Sequence, residues 1–148
     1  MLDKYCKVIL TFTLMLVVFT SYAQQRRTVT YQLDSGSSKG TNIEAYTLDF
    51  VDECPSFPGG EYAMTKFINN ERKYPEKSYN AKICGRVLCS FIILPNGAIS
   101  NIEVLRGVND ELDEEAVRVI SKMPKWSPGK VDGEAVAVYY TLAISFRL

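Results

Sequence analysis

Apolar and polar positions alternate most regularly near the end of the chain. Val136, Val138, Tyr140, Leu142, Ile144, Phe146 and Leu148 fall on one face of an extended backbone. Ala137, Tyr139, Thr141, Ala143, Ser145 and Arg147 fall on the other. Such alternation predicts a long strand with one face to bury. A second run, Arg86 to Leu94, is apolar on nearly both faces, with Val87, Cys89, Phe91 and Ile93 on one side and Leu88, Ile92 and Leu94 on the other. A strand of that kind belongs inside a sheet with neighbours on both flanks. Pro95-Asn96-Gly97 follows as a hairpin turn. The return strand, Ala98 to Arg106, changes parity between Ile99 and Ile102, which predicts a bulge near Asn101.

Helical spacing appears twice. Ala63, Met64, Phe67 and Ile68 form a stripe in a helix that starts at Gly60 or Glu61 and ends before Tyr74-Pro75, because a proline disfavours helical geometry in the residue before it. Leu112, Ala116, Val119, Ile120 and Met123 form the second stripe, capped by Asn109 or Asp110 and stopped at Pro124. Asp113, Glu114 and Glu115 suit the positive end of that helix, and Glu114 and Arg118 are spaced for an exposed ion pair. Between this helix and the last strand, Pro124, Pro128, Gly129 and Gly133 delay the strand, and Trp126 reads as a core plug, with ligand stacking as the alternative. The order helix, strand, strand, helix, strand predicts an α+β sandwich of two layers, both helices lying on one face of a small antiparallel sheet.

Upstream, Thr28–Leu33 and Ala45–Val51 are β-prone runs around a turn-rich Asp34–Thr41. They can pair as a hairpin or stay loose, and the composition favours a loose chain until near Thr47. As a flexible coil, residues 24–54 would span only roughly 30 Å. The first residues carry Lys4 and Lys7, then the uncharged Val8–Phe19, then Thr20-Ser21-Tyr22-Ala23. This is the layout of a signal peptide cleaved after Ala23, since the apolar run is shorter than the ~20 residues of a membrane span. A retained anchor is the alternative. The expected organisation is thus 1–23 signal, 24–54 lead-in and 55–148 a single domain.

Lys+Arg and Asp+Glu both number 17, so no basic stripe marks a nucleic-acid partner. The 148 residues include no histidine, which leaves a serine or cysteine nucleophile without its usual base, and no metal-ligand spacing occurs. The expectation is a non-enzymatic chain with no cofactor and no metal. Beyond residue 23 three cysteines remain. Cys84 and Cys89 stand too far apart on one strand to bridge, Cys54 is free to bridge either, and Cys89 shares parity with core positions. An odd cysteine also permits an intermolecular disulfide, and self-association by strand pairing through the edge of the final strand would give a homodimer.

Pro55-Ser-Phe-Pro-Gly-Gly60, Tyr74-Pro75, Gly85-Arg86-Val87, Phe91, Asn96-Gly97, Leu112-Asp113, Glu115-Ala116, Met123-Pro-Lys-Trp126, Pro128-Gly129, Gly133 and the Tyr140–Phe146 ending resemble the C-terminal domain of TonB-family proteins. The resemblance spans residues 55–148. It implies a periplasmic domain of two helices on a three-stranded antiparallel sheet, which captures the TonB box of an outer-membrane receptor by strand addition during transport across the outer membrane. On this chain the implied edge is the final strand, with Val138, Tyr139, Tyr140, Thr141, Ala143, Ser145 and Arg147 as partner-binding residues. Coupling to an inner-membrane proton motor would need a retained anchor. The histidine and the long proline-rich stretch of full energy transducers are missing here, so receptor binding carries over better than energy coupling.

Overall fold

The computed structural model describes residues 28–32 and 42–148. The expected signal segment and the whole turn-rich Asp34–Thr41 region lie outside the described residues. Strand β1 (Thr28–Gln32) pairs antiparallel with β2 (Asn42–Thr47) in a hairpin, so the looser reading of the lead-in is corrected. A 3-10 turn follows at Leu48–Phe50. Then come α1 (Gly60–Glu71), the short α2 (Glu76–Asn80), β3 (Gly85–Ile93), β4 (Ile99–Arg106), α3 (Asp110–Ser121), β5 (Gly129–Val131), β6 (Glu134–Val136) and β7 (Val138–Phe146).

The main sheet has the order β1-β2-β7-β3-β4. Its heart is antiparallel, since β3 pairs with β7 over nine residues and with β4 on the other side. The three-stranded antiparallel sheet expected from the sequence is nevertheless corrected, because β2 joins β7 as a parallel neighbour through Tyr46↔Val138 and Thr47↔Tyr139. The final strand is also shorter than its alternation implied. Val136 ends β6, which pairs with β5 in a separate two-stranded ribbon turned at Asp132-Gly133, both at positive φ.

One face of the sheet carries Val87, Cys89, Phe91 and Ile93 from β3 beside Ile144 and Phe146 from β7. These meet Met64 and Ile68 of α1 and Leu112, Ala116, Val119 and Ile120 of α3, the two stripes that helical spacing predicted. Asn109 caps α3 by accepting from the Leu112 amide at 3.1 Å. Trp126 is 4% exposed and packs against Phe57, Phe91 and Tyr140, which is the core-plug role. On the opposite face Ala45, Ile92 and Ala137 form a small second cluster with Leu94 and Tyr139. Burying Ala45 there gives the lead-in hairpin an apolar anchor on the sheet.

The bulge expected near Asn101 is present, with a register shift opposite Ser90–Ile92 and Asn101 at φ 47°. The helical ion pair differs from expectation. Arg118 pairs with Glu115 at 2.6 Å and with Glu71 at 3.9 Å, since α1 lies on that side of α3 and Glu114 does not.

The turn after β3 is pinned to the segment after α3. Gly97, at φ +79°, accepts a hydrogen bond from the Trp126 amide at 2.8 Å, and a Cβ built on it would sit 2.1 Å from the Trp126 carbonyl oxygen. Gly97→Ala is therefore expected to destabilise the fold by roughly 2–4 kcal/mol, from the φ penalty and the backbone clash together, read as a lowered urea midpoint.

Candidate docking edge

The inner flank of β7 is occupied along its whole length by β3, from Phe146↔Gly85 to Val138↔Ile93. Its outer flank is different. Tyr46 donates to the Ala137 carbonyl at 2.8 Å, and the Arg72 guanidinium donates to the Ser145 carbonyl. Backbone polar groups of a strand alternate sides residue by residue, so the odd-numbered residues of β7 present their N–H and C=O outward. No strand among the described residues pairs with that flank beyond Tyr139. The outward groups of Thr141 and Ala143 and the Ser145 amide therefore form a short row without a strand partner. Thr141 and Ala143 are exposed.

The row is bounded at both ends. At the start stand β2 and the Leu48–Phe50 turn, which comes close to β7 and keeps Leu48 and Phe50 partly exposed. At the far end Arg72, the residue after α1, lies on the Ser145 carbonyl with its guanidinium carbon 5.8 Å from the centre of the Phe146 ring. Nothing in the sequence pointed to Arg72. It follows a helix end and precedes Tyr74-Pro75, and only packing of α1 on the sheet brings it to β7.

The seven residues expected at the edge separate accordingly. Thr141, Ala143 and Ser145 line the row. Val138 is fully buried, and Tyr140 faces the helices, where burial and then the charges of Glu61 and Cys54 raise its phenol. Those two side chains point away from any added strand. Tyr139 is matched by Thr47 of β2, and Arg147 lies one residue past the end of β7. A free edge along the full final strand is thus corrected to a window of about five residues, because the lead-in occupies its beginning.

Cys54 stands near the start of β7, where Pro55 and Val138 both approach Gly129, whereas Cys84 precedes Gly85, which pairs with Phe146 at the other end. Nine strand residues span roughly 25–30 Å, far beyond the ~7 Å that a disulfide tolerates. All three described cysteines are free, so the bridge left open for Cys54 is corrected. Cys89 is buried, and burial followed by the Asp113 carboxylate pushes its thiol up to about 11. Native protein treated with a maleimide is expected to be labelled at the exposed Cys54 and Cys84 and not at Cys89 until denatured, as read by peptide mass.

The family model of the Gram-negative bacterial TonB protein C-terminal matches residues 70–148, which hold β3, β4, α3 and β7. The chain belongs to the TonB C-terminal family. The family is one of transport and binding domains. Two solved structures of the Helicobacter pylori TonB C-terminal domain are similar to this chain. One, of residues 179–285, is 25% identical and covers 60% of this chain and 81% of that one, with a TM-score of 0.46. The other, of residues 194–285, is 24% identical and covers 59% and 94%, with a TM-score of 0.45. No curated protein matches the chain. Among the described residues no helix of this TonB-family chain is long and apolar enough to cross a membrane.

Proposed function

We propose that this chain is a periplasmic binding domain that captures an extended segment of an outer-membrane TonB-dependent receptor by adding it as a strand to the outer flank of β7. One observation carries the reading: β7 is bonded along all nine residues on one side, yet beyond Tyr139 no strand among the described residues occupies the other. Unpaired strand edges invite association, and folds that do not use them are usually bulged or covered. Main-chain bonds at Thr141, Ala143 and Ser145 would supply affinity, and the exposed residues beside the row would supply selection. Family membership makes the receptor of TonB-dependent transport the natural source of that segment.

The test is a titration of the isotope-labelled full chain with a receptor-type extended peptide, followed by amide NMR. The largest shifts are expected at Thr141, Ala143 and Ser145. Shifts confined to the outer edge of β4, or no shifts at all, would remove β7 as the docking strand.

A further inference from the structure

Four arginines gather at the end of the sheet where the open row stops. Arg86 stands directly opposite Ser145 in the β3–β7 register, and Arg106 stands opposite Leu88 in the β3–β4 register. Both therefore belong to the sheet face away from the helices, and Arg147 follows directly on the end of β7 beside them. Arg86, Arg106 and Arg147 are exposed. Arg72 adds a fourth guanidinium on the flank itself, against the Ser145 carbonyl. Rows along a strand are about 7 Å apart and neighbouring strands about 4.8 Å apart, so these charges share one small patch.

None of the four makes an ion pair among the described residues, and the acidic residue on this face, Glu103, stands one row away opposite Ser90. In a chain of balanced charge, the strand register thus brings several guanidinium groups together where an added strand would run off the edge. The main-chain groups of the row carry no side-chain information by themselves. The arginines supply what the row lacks.

We infer that this arginine cluster selects a segment bearing acidic residues at the end that lies beside Ser145, with Arg72 leaving the Ser145 carbonyl to the incoming amide and turning to the carboxylate. The inference rests on docking at β7. A guanidinium fits a carboxylate through two parallel hydrogen bonds, and a patch of one sign speeds encounter with the opposite sign.

The experiment measures Kd of the full chain, by calorimetry at low and high salt, for four extended peptides of one apolar core sequence. Two carry paired glutamates at one terminus or the other, the third carries glutamines and the fourth lysines. One of the two acidic peptides is expected to bind about 10-fold tighter than the glutamine peptide at low salt, with the gap shrinking as salt is raised. Arg86→Gln combined with Arg106→Gln and Arg147→Gln should reduce that gap to about twofold. Equal affinities for all four peptides would overturn the inference and leave docking at β7 standing. Failure of every peptide to bind would overturn both. Co-sedimentation with phosphatidylglycerol vesicles, without a charge preference among peptides, would make the patch a membrane contact and end the inference as well.

Discussion

Ala143→Pro is expected to abolish peptide capture in a domain that still folds, while Leu142→Pro, one residue earlier, is expected to unfold it. The two positions differ in where their amides point and in which face of the sheet their side chains take. The Ala143 amide faces the open flank, so a proline there removes a donor that no strand of the chain uses and puts its ring where an added strand would lie. Proline is tolerated in sheets at such outward positions. The fixed φ should still cost about 1–2 kcal/mol. Leu142 is paired with Cys89 across the central ladder and packs against the core between the buried Ile144 and Tyr140. Proline there breaks a ladder bond between two interior strands and moves the side chain as well, a loss of about 3 kcal/mol or more. Urea unfolding and peptide titration of both variants separate the outcomes. If Ala143→Pro bound peptide like the parent, strand addition at β7 would be untenable. If Leu142→Pro were as stable as the parent, the alternation of bonded sides along β7 would be wrong.

The second large effect concerns the aromatic wedge under the same strand. Phe91 is fully buried on β3, with ring centroids 5.5 Å from Tyr140 and 5.9 Å from Trp126. It thereby links β7 to the segment that Gly97 pins. Phe91→Ala is expected to destabilise the domain by roughly 3–5 kcal/mol, because the transfer free energy of the ring is lost and the cavity sits between close-packed aromatic groups that cannot collapse. Phe91→Leu should cost much less, about 1–2 kcal/mol, since most of the volume is retained. Natural domains are stable by only about 5–15 kcal/mol, so the alanine variant is expected to be partly unfolded at 37 °C. Chemical denaturation at matched temperature gives both values. A shift below about 1 kcal/mol for the alanine variant would show that this wedge does not hold the layers together.

Both expectations depend on which side of β7 each group faces, and that was only half legible in the sequence. Alternation placed Tyr140, Leu142, Ile144 and Phe146 toward the helices, because a period of two leaves little choice once one face is apolar. It could not place β2, whose two-residue parallel contact with Val138 and Tyr139 leaves no periodic signal. Nor could it stop the strand at Val138, since Val136 keeps the same parity and only the β5–β6 ribbon turns it aside. The short α2 was likewise silent, five residues being too few to display a helical stripe. Arg118 met Glu115 at i,i+3 rather than Glu114 at i,i+4, two spacings that a helix allows equally, while Glu71 of α1 joins on the same side.

By itself, the order of residues determined the two helical stripes, the β3–β4 hairpin with its bulge, the burial of Cys89 and Trp126, and the family. Each of these follows from local spacing or from side chains too large and apolar to leave in water. The tertiary structure alone decided how much of the last strand stays open. Backbone donors and acceptors are the same in every residue, so whether one is taken depends on which distant segment arrives beside it, here Tyr46 at one end and Arg72 at the other.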